Sequence, residues 1–325
     1  MKQAGNHKAQ ELGDTTNASN RIQVIFNRPI HVKRPHTLAE MVRATASANL
    51  AGLFEELENL TGLQEAKKNI YEIFALLRIN KEREKHHLKT EKQVLHMVFK
   101  GNPGTGKTTV ARIVGRIFKE MGILQKGHLI EVERADLVGE FIGHTAQKTR
   151  ELIKKAMGGV LFIDEAYSLA RGGEKDFGKE AIDCLTKALE DSGNDFICII
   201  AGYNDEMDTF LELNPGLPSR FPIQIKFQDY DVEQLLEIAK MMTKNKEYEL
   251  TQEALEKIRR KLLTILNDPF HYHFSNARYI RNIIEKAIRM QGIRLLKIET
   301  PKVGDLITLK DEDFSFLFES KNVNE

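Results

Sequence analysis

Between Gly62 and Lys81, apolar residues at Leu63, Ala66, Ile70, Ile73, Phe74 and Leu77 recur at helical spacing. A charged stretch, KEREKHHLKTEK, comes next. The pattern then changes to short alternating or continuous apolar runs at 94–99, 129–132, 160–163, 196–201 and 223–227, several of them separated by helical segments. Buried strands alternating with helices predict a parallel sheet in an α/β layer. Past Asp231 the strand pattern stops and three helical patterns take over. They are Val232, Leu235, Leu236, Ala239 and Met242; Leu255, Ile258, Leu262 and Ile265; and Ile280, Ile283, Ile284, Ala287 and Ile288. At the other end, residues 1–20 are polar and aperiodic, 22–26 read as one strand-like run, and Pro29 and Pro35 interrupt the chain beyond it. The division expected is a mobile tail and arm over 1–49, an α/β domain over 50–229, and a helical domain with a C-terminal segment over 230–325.

Composition narrows the class. Of 325 residues, 41% are hydrophobic and 29% charged, as in ordinary globular proteins. Lys and Arg total 48 against 47 Asp and Glu, so no global field draws the chain onto nucleic acid, although 28–34 is locally basic. No run reaches the roughly 18 apolar residues of a membrane span, and the first residues lack the apolar core of a secretory signal. Two cysteines, Cys184 and Cys198, make neither a disulfide framework nor a four-ligand zinc site. The histidines at 86–87 and at 271 and 273 have no Cys or carboxylate partner at ligand spacing and read as solvated. A reduced, cytoplasmic compartment is the expectation.

The chemistry begins at Gly101-Asn102-Pro103-Gly104-Thr105-Gly106-Lys107-Thr108, a complete P-loop between a strand pattern and a helical one that opens with Thr109. Glycines let backbone N–H groups curl around phosphate oxygens at a helix N-terminus, where a Cβ would stand in the way. Lys107 is placed for the β- and γ-phosphates, and the Thr108 hydroxyl for Mg²⁺. About 56 residues on, the apolar run 160–163 ends in Asp164 and Glu165. Asp164 suits the Mg²⁺ shell, and Glu165 suits a base that orients and deprotonates a water. The second carboxylate favours hydrolysis over simple nucleotide sensing.

Together, Leu60-Thr61-Gly62-Leu63, GNPGTGKTTVAR, DLVGEFIGHTAQKT, GGVLFIDEAYSL and IIAGYNDEM resemble an AAA+ ATPase, specifically the CbxX/CfqX group, which includes the red-type rubisco activase. The resemblance covers roughly residues 50–315. It implies a P-loop αβα sandwich with a parallel sheet, a small all-α lid, ATP and Mg²⁺ as cofactors, and a homo-oligomeric ring, usually a hexamer, acting on a protein substrate. It places Gly62 and Leu63 at the nucleotide, Arg220 as an arginine finger reaching a neighbouring subunit, and Arg278 as the lid's sensor arginine, with Arg281 one turn further on. For an isolated monomer, a surface arginine paired locally is the alternative reading of Arg220; in a ring the finger is the expectation. The sensor at the end of the fourth strand departs from the usual Thr-Asn pair: Tyr203 matches by count and Asn204 by chemistry. Phe141-Ile142-Gly143 resembles a pore loop that grips polypeptide, and a core Phe141 is the alternative. Likeness within the group leans to its sporulation members; a nucleotide-switched scaffold, a DNA-acting loader and an activase are the competing functions.

Overall fold

The five apolar runs fold as one parallel sheet, ordered β2-β3-β4-β1-β5, from β1 (Met97–Gly101), β2 (Leu129–Val132), β3 (Val160–Ile163), β4 (Ile197–Gly202) and β5 (Ile223–Phe227). The computed structural model describes residues 40–42, 47–141, 143–171, 177–268 and 274–318. These all fall within one compact unit, Thr37–Glu325. The strand-like run 22–26, the basic run 28–34, Ile142 and the histidines at 271 and 273 lie outside the described residues.

Strand periodicity sorts side chains into two cores. Met97, Phe99, Val160, Phe162, Ile197 and Ile199 face one cluster, which is covered by α1 (Ala48–Glu58), α2 (Gln64–Lys85) and α3 (Lys107–Glu120). Their neighbours Val98, Leu161, Ile163, Cys198 and Ile200 face the other, covered by α4 (His144–Ala156), α5 (Gly178–Ser192) and α6 (Asn204–Leu213). A strand buried on both faces can be apolar at every position, which is why the sequence shows runs rather than strict alternation. Phe99, Phe162 and Phe227 are fully buried and meet edge-on or tilted. Truncating one of them to Ala would cost about 3–5 kcal/mol.

A third core belongs to the C-terminal helices α7 (Val232–Lys244), α8 (Gln252–Leu266) and α9 (Asn276–Leu295). The first two start at side-chain caps: Asp231 accepts from Gln234 N at 2.8 Å, and Thr251 accepts from Ala254 N at 3.2 Å. Strand structure does not end at Asp231 as the sequence suggested. A two-residue parallel pair, β6 (Glu249–Leu250) with β7 (Thr308–Leu309), closes the lid, and elements that short leave no periodic signal. The buried Asp313 fixes the end of the lid by pairing both carboxylate oxygens with Arg294, at 2.8 and 2.9 Å. Among the described residues, no helix is long and apolar enough to cross a membrane.

Candidate nucleotide-binding site

At the C-terminal end of β1 the chain must turn sharply into α3. Gly104 (φ +72°) and Gly106 (φ +95°) take left-handed conformations there. A Cβ on Gly104 would lie 2.3 Å from the Ser275 carbonyl oxygen, so this glycine also permits the lid's close approach. The Lys107 ammonium folds back over the loop and donates to the carbonyls of Gly101 at 2.7 Å and Asn102 at 2.9 Å. Burial holds its pKa below the ordinary lysine value. Asp164 opposes that shift, and the nearby Arg278 cation adds to it. A half-buried ammonium satisfied by backbone carbonyls alone fits a phosphate partner.

The loop lines a cavity of about 660 Å³ between the sheet and the lid, within the usual size range for a small-molecule site. Its polar end gathers Lys107, Thr108, Asp164, Glu165, Tyr203 and Arg278, while Arg281 lines the wall near Met242. Leu60, Leu63, Ile238, Met241 and Met242 form an apolar end that suits a flat heteroaromatic base. Leu63 reaches this position through a left-handed backbone (φ +60°) following Gly62 (φ +65°), and it packs against both the sheet core and the lid core. The hydroxyl of Thr108 and the carboxylate of Asp164 are hard oxygen donors of the kind Mg²⁺ prefers. The residues present therefore fit both a nucleotide and its metal.

Glu165 follows the buried strand β3 with φ +47°, an uncommon conformation for a residue with a side chain, and its backbone N–H donates to Asp164 Oδ1 at 3.0 Å. That turn brings an exposed carboxylate to the cavity wall. Burial pushes the Tyr167 hydroxyl up to about 12, with Glu165 adding to the shift, and Tyr203 moves in the same direction for the same reasons.

The other expected site residues take varied places. Gly101, Pro103, Gly104, Gly106 and Thr109 line the cavity. Asn102 and Thr105 instead turn their side chains to hold the loop's shape: Asn102 Nδ2 donates to Asp229 at 2.8 Å, and Thr105 Oγ1 donates to Asn102 O at 2.8 Å. Tyr203 borders the cavity, whereas Asn204 is exposed as the first residue of α6 and is not part of the wall. Arg220 lies outside this cavity, at the end of the helical turn Leu217–Arg220, and forms an ion pair with Glu190 of α5. Phe141 is 63% exposed, so it is not a core side chain.

Sequence reasoning missed Glu131, Asp229, Tyr230 and Asn276. Glu131 Oε1 accepts the Thr108 hydroxyl at 3.3 Å, and Tyr230 OH donates to Thr105 O at 3.1 Å. Asn276 stands two positions before Arg278, and that adjacency is its only signal in the sequence.

A sheet in this order, a P-loop after β1, paired carboxylates after β3 and a helical lid over the cavity define a P-loop ATPase of the AAA class. The family described as ATPase family associated with various cellular activities (AAA) matches residues 97–229, and the AAA lid domain matches 231–324. Stage V sporulation protein K of Bacillus subtilis (strain 168) is 54% identical over 94% of this chain and 97% of its own length. The chloroplastic ribulose bisphosphate carboxylase/oxygenase activase of Cyanidioschyzon merolae (strain NIES-3377 / 10D) is 46% identical over 78% of this chain and 87% of its own. Protein CbbX of Cereibacter sphaeroides is 45% identical over 80% and 85%. A solved AAA domain of FIGL-1, in complex with ADP, shares the fold with TM-score 0.54 at 20% identity over 80% of this chain and 82% of that one. The chain belongs to the AAA+ ATPases of the CbxX/CfqX group.

Proposed function

We propose that this chain binds ATP with Mg²⁺ and hydrolyses it as one subunit of a cytoplasmic ring, six-membered by family habit, that remodels a protein substrate during sporulation. The observation that carries the reading is the meeting of Lys107, Thr108, Asp164, Glu165 and Arg278 around one cavity. In this reading residues 50–229 are the ATPase domain, 230–325 the lid and C-terminal segment, and 1–49 an N-terminal arm. The base of the nucleotide occupies the apolar end beside Gly62 and Leu63. Lys107 leaves its two carbonyls for the phosphates, and the loop's N–H groups share their charge. Thr108 and Asp164 hold the metal, which when bound neutralises charge on the phosphates. Glu165 accepts the proton of the attacking water. Tyr203 and its neighbour Asn204 are the candidates to orient that water, Tyr203 being the one at the cavity wall. Arg278 steadies the terminal phosphate from the lid, and Arg220 supplies charge to the adjacent subunit's site.

Sporulation is supported by the relative with 54% identity across nearly the whole chain. The activase relative supports a second reading, in which the remodelled protein is a metabolic enzyme. The ATPase reading itself is tested by two substitutions. Lys107→Ala is expected to abolish ATP binding in calorimetry. Glu165→Gln is expected to keep binding and lose steady-state turnover, by a factor on the order of 10² or more. Unchanged turnover in Glu165→Gln would reject Glu165 as the base. A wild-type protein that binds ATP without turning it over would favour a nucleotide-switched scaffold.

A further inference from the structure

Asn276 is fully buried at the start of α9, with φ +45°. Its amide works in two directions. Oδ1 accepts the Tyr230 backbone N–H at 2.9 Å, while Nδ2 donates to Asp229 Oδ1 at 2.7 Å and to Phe274 O at 3.0 Å, with Pro103 O of the phosphate loop further off at 3.4 Å. Asp229 in turn accepts Nδ2 of Asn102, from inside the loop, at 2.8 and 3.1 Å. One carboxylate thus receives an amide from the loop and an amide from the lid. Beside this junction the Ala277 N–H donates to Gly104 O at 3.2 Å.

Three demands meet at position 276. The Tyr230 N–H needs an acceptor, Asp229 needs a donor, and the backbone needs a residue that tolerates the left-handed region. A short amide meets all three: Asn is enriched at positive φ, whereas a carboxylate would set two negative charges together and an aliphatic side chain would orphan a buried N–H. Two residues on, Arg278 lines the polar end of the cavity, near enough to Lys107 and Tyr203 to bear on the charge of both. We propose that Asn276, through Asp229, is a positioning residue: it clamps the lid to the phosphate loop and sets Arg278 where a terminal phosphate is read. This rests on the proposed nucleotide site and on the role given there to Arg278. The clamp makes the distance from loop to arginine a matter of one hydrogen-bonded junction rather than of lid mobility.

The test compares ATP and ADP affinities by calorimetry, with thermal melting, in four variants of the full chain. Arg278→Ala establishes whether that arginine distinguishes ATP from ADP. Asn276→Gly removes the amide while suiting the backbone, and Asp229→Asn removes the shared charge. The double variant Asn276→Asp with Asp229→Asn exchanges amide and carboxylate, so that a donor and an acceptor again face each other. Asn276→Gly and Asp229→Asn are expected to lose ATP preference over ADP on the order of tenfold, the size of one hydrogen bond to a charged group. ADP affinity is expected to stay near wild type, and the exchanged pair to recover much of the preference. A merely structural residue would lower the melting temperature and weaken ATP and ADP alike. That result in Asn276→Gly, alongside lost preference in Arg278→Ala, would overturn the clamp. If Asn276→Gly fails to fold, Asp229→Asn and the exchanged pair still decide, and absence of recovery in the pair overturns the proposal. If Arg278→Ala keeps full preference, the reading of Arg278 fails first and the clamp falls with it.

Discussion

His96 lies just before β1, 1% exposed, with the rings of Phe196 and Phe221 each 6.0 Å from its own. Its Nδ1 accepts the Cys198 N–H at 3.2 Å, a role only the neutral ring can fill. Burial pushes its pKa down to about 4 from the ordinary 6.5. The unfolded chain therefore takes up a proton near pH 6.5 while the folded chain resists until about pH 4. The neutral ring's contribution to stability is complete above pH 6.5 and is lost as pH falls to about 4; it amounts to something on the order of 3 kcal/mol. His96→Asn keeps an acceptor near the Nδ1 position without the titration. Melting temperatures measured from pH 4 to 7 are expected to fall less steeply with acid in this variant than in wild type, and equal slopes would show that His96 does not drive the acid response. The sequence hid this role, because nothing local marks a histidine whose partner lies about a hundred positions away. Lys107, Thr108, Asp164 and Glu165 were legible for the opposite reason: phosphate and metal chemistry fixes residue types at short spacing. Glu131 and Asp229 were not, since each is a single carboxylate whose contact with the loop is made only by folding.

The β2–α4 connection shows how an element separates exposed work from buried support. Leu137 is buried at the end of a short helical turn, and Gly139 packs so closely on α4 that a Cβ would lie 2.5 Å from that of His144. Phe141 then stands in solvent, its ring set edge-to-face with that of His144 at a centroid distance of 5.4 Å, and Gly143 (φ +82°) turns the chain into α4. The sequence left two readings of Phe141 open because Val138, Phe141 and Ile142 could form one apolar face; the close packing at Gly139 takes Phe141 out of it. Phe141→Ala is expected to change the melting temperature by no more than about 1 °C, since surface changes of this kind stay within about 0.5 kcal/mol. Basal ATPase is expected to remain, and substrate-stimulated ATPase to be lost if this loop grips polypeptide. A drop of many degrees would return Phe141 to the core. Whole elements were read more readily than such loops. The five strands announced themselves as apolar runs because helices cover both faces of the sheet, whereas β6 and β7 pair with each other over two residues apiece, with Arg294 donating to Thr308 O of β7, and carry no pattern of their own.

Across the whole molecule, the cavity between sheet and lid gathers Lys107, Thr108, Asp164, Glu165 and Arg278 in its wall, but not Arg220. The guanidinium pairs with Glu190 and donates to Gly216 O, while its buried Nε has no hydrogen-bond partner among the described residues. An arginine that serves its own site would point into it. One that serves a neighbour must instead be presented from another face, and a guanidinium with an unpartnered Nε, held by one exposed carboxylate, the Gly216 carbonyl and the Ser219 hydroxyl at 3.4 Å, can exchange its carboxylate partner at modest cost. Arg220→Ala is therefore expected to bind ATP nearly as wild type does and to turn it over slower by a factor on the order of 10³, the scale of arginine fingers. The decisive measurement mixes Arg220→Ala with Glu165→Gln, two variants expected to be nearly inactive alone. In a mixed ring, an interface that takes Glu165 from one subunit and Arg220 from the other has both groups intact, so ATPase activity should rise on mixing and peak near equal proportions. An arginine acting within its own subunit gives a different result, because Arg220→Ala subunits would lack their arginine whatever stands beside them. Glu165→Gln subunits would equally lack their base. Activity that stays at the weighted mean of the two variants at every ratio, in rings shown to exchange subunits, would place Arg220 outside the catalytic interface.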